Sequence, residues 1–210
     1  MAEKIKSRWI EATVAVVISA AALATSWCSF QATLWNGQQA AHYSRAGAFR
    51  TIATRDAIDA SVTRSVEIGL FSAWLDAKHA KNEPLAQFYQ TRFPPGLKPA
   101  FNEWLAQQPL TNPQAPPSPF ALASYQQPGM VEARKLEEKA ATEFDRGQRA
   151  NHIGDGYTRS AVILALAMFF GGVGQAFEHR SVRIAMGVVS LVACAAGLMF
   201  AFSLPPLAVT

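Results

Sequence analysis

Two imidazoles and a carboxylate, His42, His152 and Asp155, are the side chains in this sequence best suited to hold a divalent metal or to act as a proton-linked switch. Each falls within about two helical turns of Trp35 or Tyr157, aromatic residues of the type that mark a membrane–water boundary. Their spacing follows no metal motif, so they stand as candidates beside a plainer reading, three solvated residues that never meet. Glu11 is the other polar group that demands an explanation. It lies at the end of an apolar stretch, at the same sequence-predicted depth as His179, Arg180 and Arg183, where a carboxylate needs a cationic partner. A structural ion pair of Glu11 with Arg180 or Arg183 is the expectation, ahead of an ion pathway. Gln31 and Gln175 sit at opposite ends of their stretches and make a poor continuous polar path.

Catalytic signatures are missing from the chain. It has no phosphate-binding loop, no GxSxG, no HExxH, no CxxC and no dinucleotide GxGxxG. Gly171-Gly172-Val173-Gly174 lies within an apolar run, where glycine most often permits close helix contact. No catalytic residue and no cofactor is therefore assigned, and the chain is expected not to be an enzyme.

The elements that must position these groups follow from composition. Half of the chain is hydrophobic and 16% is charged, below the roughly 25% of an ordinary soluble domain. Crossing a hydrocarbon core takes about 20 apolar residues in a helix. Three stretches qualify, at residues 10–35, 158–178 and 184–204. Hydrophobicity continues well past the small-residue site Ala22-Leu23-Ala24, so the first stretch is read as a retained span rather than a cleaved signal. The short link at residues 179–183 forces the last two spans into a tight antiparallel hairpin.

Lys4, Lys6 and Arg8 in the tail (residues 1–9), with Arg180 and Arg183 in the link, place both segments in the cytoplasm. Residues 36–157 and the tail at 205–210 then lie on the other side. Cys28 and Cys194 both fall inside spans, so no disulfide supports the extracytoplasmic domain. A net charge of +4 with dispersed basic residues gives no indication of nucleic acid.

The expected fold is all-α: three transmembrane helices with a mainly helical extracytoplasmic domain inserted between spans 1 and 2. That domain should consist of two long antiparallel arms and a proline-rich cap of short helices, since the prolines crowd between Pro84 and Pro128. Asn36 either caps a new helix or lies within one that continues from the first span. The first arm is the longer, so it should bend near Gly47 or Gly69 or project into the cap. Asn82-Glu83-Pro84 opens one short helix, Lys98–Gln107 forms another, and Pro128 starts the return arm. Lys139–Glu143 and Asp145–Arg149 have the spacing of ion pairs along that arm. Gly154-Asp155-Gly156 is expected to interrupt it.

Matching charges sets Arg50 beside Glu143 and Asp145, Arg55 beside Glu138, Asp56 beside Lys139, Asp59 beside Lys135 and Phe49 beside Phe144. Phe88, Tyr89, Phe93, Phe101 and Trp104 are expected to pack onto the arms. Ala185, Ala193, Gly197 and Ala201 form a stripe of small residues suited to close helix packing.

The cap carries two motifs, Phe93-Pro94-Pro95-Gly96-Leu97-Lys98-Pro99-Ala100-Phe101-Asn102-Glu103-Trp104-Leu105 and Asn112-Pro113-Gln114-Ala115-Pro116-Pro117-Ser118-Pro119-Phe120-Ala121-Leu122 with Tyr125. Together they resemble those of a family of small bacterial inner-membrane proteins of uncharacterised function. The resemblance implies a bacterial source and the three-span layout, and carries no activity or site residue. The leading functional expectation is an assembly, scaffold or accessory subunit in the lipid bilayer, working through its helical domain with copies of itself or a membrane-protein partner. The alternatives are a homo-oligomeric channel or transporter subunit and, more weakly, a sensor module with a separate signalling partner.

Overall fold

A computed structural model describes residues 2–208 of the chain, with side chains for residues 11–208. The side chains of Lys4, Lys6, Arg8 and Trp9, and the last two residues of the tail, lie outside the described residues. The fold is all-helical: α1 (Ala2–His79), α2 (Glu83–Thr91), α3 (Leu97–Ala106), α4 (Pro128–Gln175) and α5 (Arg180–Phe202), with a 3-10 turn at Pro119–Ala121. No strand occurs among the described residues. Helices α1, α4 and α5 are each long and apolar enough to cross a membrane.

Local signals explain where most of these helices start and stop. Asn82 caps α2, its Oδ1 accepting the Leu85 amide at 3.2 Å, and Pro84 fills a first-turn position whose missing N–H is no loss. Helix α4 opens on Pro128. The expected break at Gly154-Asp155-Gly156 does not occur, and α4 runs straight through it. These glycines serve packing: a Cβ on Gly154 would lie 2.7 Å from Asn36 Oδ1, and one on Gly156 would lie 2.9 Å from Leu204. The loss in helix propensity of about 1 kcal/mol per glycine is outweighed by that close approach. Asn36 lies inside α1, which continues without interruption from the first apolar stretch through Gly47 and Gly69. The link before α5 is also shorter than expected, because Arg180 and Arg183 are already helical.

The chain divides into two compact units, Met1–Arg45 with Thr142–Thr210, and Ala46–Ala141. In the first, α1, α4 and α5 meet through Ala21, Cys28, Ala32, Tyr157, Leu164, Ala167, Cys194 and Ala201. In the second, the end of α1 supplies Phe71, Trp74 and Ala77 to a core with Phe93, Leu97, Phe101 and Trp104. Helix α1 thus reaches into the cap. The proline-rich segment is tied to this core by Trp104, whose Nε1 donates to the Pro116 carbonyl at 2.7 Å. Phe120 and Tyr125 pack against the same cluster. Phe93, Phe101 and Trp104 are buried, whereas Phe88 stays exposed with the Arg92 guanidinium 3.6 Å from its ring centre.

The arms do run antiparallel, but in a different register from the charge-matched one. In the second unit Ala53, Ala133 and Leu136 pack with Phe49, and Arg50 meets Glu137 at 3.6 Å. Arg50 therefore faces a residue about two helical turns from the expected Glu143. In the first unit it is Tyr43 that stacks on Phe144, with ring centres 5.2 Å apart. Exposed ion pairs contribute about 0–1 kcal/mol each, too little to set a register against alanine and leucine packing.

Candidate functional site

Three polar assemblies interrupt the packing of the first unit. At one, Arg183 donates through Nη1 to Glu11 Oε1 at 3.1 Å and through Nη2 to the Phe177 carbonyl at 3.5 Å. This pins the start of α5 to α1 and to the link that follows α4. Arg180, the other expected partner, is the first residue of α5.

A second assembly is built around Glu143. Its Oε2 bonds His42 Nδ1 at 2.7 Å and lies 3.9 Å from Arg45, while Oε1 accepts from Arg146 at 2.7 Å. The His42 hydrogen bond, reinforced by the Arg146 charge, holds the Glu143 carboxyl below its ordinary range against the opposing effect of burial. The candidate grouping of His42 with His152 and Asp155 does not form, in line with the plainer reading that the three never meet. Asp155 instead accepts from Asn151 at 3.0 Å, Asn151 accepts from Gln39 at 2.7 Å, and His152 is exposed. No group of three His, Cys, Asp or Glu that could hold a metal exists among the described residues. Glu143 also takes Arg146 and His42 in place of the expected Lys139.

The third assembly fastens the segment after α5. Gln31, 4% exposed, donates to the Leu207 carbonyl at 3.1 Å and accepts the Leu207 amide at 2.8 Å. Trp35 donates to the Pro205 carbonyl at 3.2 Å, and Tyr157 to the Leu204 carbonyl at 3.3 Å. A glutamine amide that serves both the N–H and the C=O of one residue makes a specific clasp.

The packing stripe of α5 differs from the expected one. Gly197 and Ala201 are buried, Ala193 is half-buried, and Ala185 is exposed. Ser190 and Cys194 complete the buried face, and Ser190 donates to the Ala167 carbonyl of α4 at 2.7 Å. A hydroxyl bonded across helices in an apolar interior both satisfies itself and sets the depth of the contact.

The second unit holds a polar site that sequence reasoning missed. Glu67, on α1, is buried, and its Oε2 accepts the Tyr125 hydroxyl at 2.5 Å. That hydroxyl accepts in turn from Gln127 Nε2 at 2.9 Å, and the same amide donates to the Ala60 carbonyl at 3.2 Å. Burial, with the Glu67 hydrogen bond and charge, pushes the Tyr125 phenol up to about 12, so it remains a donor at any ordinary pH. The Arg64 guanidinium lies 5.9 Å from the Tyr125 ring centre. A signal for this site was present, because Glu67 falls on the same helical stripe as Phe71 and Trp74, where a core residue belongs. An open pocket of about 350 Å³ adjoins it.

Comparison with family models, curated proteins and solved structures gives no match.

Proposed function

We infer that this chain is a non-enzymatic integral membrane protein that acts as an assembly, scaffold or accessory subunit. One observation carries the reading. Ile58, Val62 and Val66 stand at successive i,i+4 positions of α1 in the second unit and are 57%, 59% and 55% exposed. Three β-branched apolar side chains lie in a row on a helix otherwise rich in Arg, Asp, Ser and Thr. That is the pattern of a surface that another helix covers.

The membrane setting rests on the three apolar helices. Lys4, Lys6, Arg8, Arg180 and Arg183 support a cytoplasmic N-terminus and α4–α5 link. The segment between the first two spans then lies outside the cytoplasm, and the cap motifs support a bacterial inner membrane. The deciding experiment is to extract the tagged protein from its membrane in mild detergent and measure the mass and composition of the intact particle, for wild type and Val62→Glu. The expected wild-type particle contains further copies or a stoichiometric second protein, which the Val62→Glu substitution releases. A wild-type particle holding a single chain and nothing else would overturn the reading, as would a particle indifferent to the new charge.

A further inference from the structure

The proposed docking stripe leaves one costly feature of the second unit unused. Glu67 is 2% exposed, and its only hydrogen-bond partner among the described residues is the neutral Tyr125 hydroxyl. No cation pairs with it there. One neutral hydrogen bond to Oε2 leaves the other carboxylate oxygen, Oε1, without a bonded partner among the described residues. The Tyr125 hydroxyl, already accepting from Gln127, is fully committed to Oε2. Oε1 faces the surface pocket: a Cβ placed on Gly96 would stand 3.5 Å from it, and Gly96 carries none.

The pocket that Glu67 helps to line, about 350 Å³, falls within the size range of small-ligand sites. Asp56 and Asp59 line it from the same face of α1, and Pro94 and Pro95 give it apolar walls. A buried carboxylate, two further carboxylates and flat apolar walls suit a cation carried on an aliphatic stem. They do not suit a metal ion, since no group of three ligands that could hold one exists among the described residues. We propose that this pocket binds a primary ammonium group on an aliphatic stem, with the ammonium on Glu67 Oε1 and the stem along Pro94 and Pro95. Such a group is offered equally by a free aliphatic diamine and by the lysine side chain of a polypeptide.

The test is calorimetric titration of the intact protein in detergent with 1,4-diaminobutane, 1-aminobutane and an acetylated, amidated lysine tripeptide. Saturable binding with a Kd below about 1 mM is expected for at least one of them. A tighter diamine identifies a small-molecule ligand, and a tighter tripeptide identifies a polypeptide lysine. Glu67→Gln should weaken binding by at least about tenfold. Gly96→Leu provides a second variant, in case the first disturbs the Tyr125 bond. Gly96 has ordinary helical angles (φ −69°, ψ −33°), and its Cβ would make only normal contacts, so leucine can be built there and will fill the pocket. It should abolish binding while near-ultraviolet circular dichroism shows the fold retained. The proposal is overturned if no probe binds wild type up to about 10 mM. It is overturned equally if both variants bind within twofold of wild type.

Discussion

Around Trp74 the buried side chains are Phe71, Phe93, Leu97, Phe101 and Trp104, whereas between α1, α4 and α5 they are mostly Ala, Cys, Ser and Gly. Large apolar side chains of the latter helices point outward instead, with Leu23 75% and Met199 68% exposed. On the proposed membrane reading, the two patterns answer to two solvents. In water, burying an aromatic ring is strongly favourable, so the largest side chains are collected inside. In hydrocarbon that drive vanishes, and what remains is van der Waals contact between closely approaching backbones, with hydrogen bonds such as Ser190 to Ala167.

The largest effect should come from breaking the aromatic core. Trp74→Ala removes a ring that packs on Phe71, Phe101 and Trp104, and should cost about 3–5 kcal/mol. Denaturant unfolding followed by near-ultraviolet circular dichroism measures it. Leu23→Ala, on an exposed apolar face, should change stability in detergent by less than about 0.5 kcal/mol. Equal losses at the two positions would remove the distinction between the cores.

Next comes the close approach of helices in the first unit. A Cβ on Gly197 would lie 2.7 Å from Leu164 Cγ and 3.3 Å from the Leu164 backbone nitrogen, so Gly197→Leu has no room. It should cost about 1–3 kcal/mol. Gly172 has nothing within 4 Å of the corresponding position, and Gly172→Leu should be neutral or slightly stabilising. Thermal unfolding of both variants in the same detergent compares them directly. A tolerated leucine at position 197 would mean that the helices are not held together as tightly as their small residues permit.

Gln31→Leu tests the clasp, and its effect should be smaller and local. Two hydrogen bonds to Leu207 are lost, worth about 1–2 kcal/mol together, and the Leu207 amide should exchange with solvent deuterium faster than in wild type. Unchanged exchange there would show that Trp35 and Tyr157 hold the segment without the glutamine.

These positions differ in how plainly the sequence announces them. Asn82 before Glu83-Pro84, and Pro128 before a charged run, are local signals with local causes, and the helices they predict begin there. The aromatic cap was legible for a similar reason, since a domain without disulfides has few other residues large enough to fill a core. The register of the arms was not, because charges every three or four residues produce plausible pairs in many alignments, while Ala53, Ala133 and Leu136 decide the contact. Gly154 and Gly156 carry opposite meanings in a loop and in a tightly packed helix, and only the neighbour across the contact distinguishes them. The clasp was invisible because half of it is backbone: nothing in Leu207 marks its amide and carbonyl as the partners of Gln31.

Two buried carboxylates sharpen the contrast at the level of single charges. Glu143 is surrounded by cationic or protonatable groups, His42, Arg45 and Arg146, while among the described residues Glu67 meets only the Tyr125 hydroxyl. Removing the first charge should therefore destabilise the protein, and removing the second should cost less, because no ion pair is lost with it. The pH dependence gives the sign at Glu143. Its folded carboxyl titrates below the ordinary value of 4.5, so its contribution is fully present above that value and is lost as pH falls through the lower folded one. Wild type and Glu143→Gln should thus differ most near neutrality and converge in acid below about pH 4.5. Thermal unfolding of both proteins across that range supplies the measurement. A gap that stays constant with pH would mean that Glu143 acts through its shape and hydrogen bonds rather than its charge.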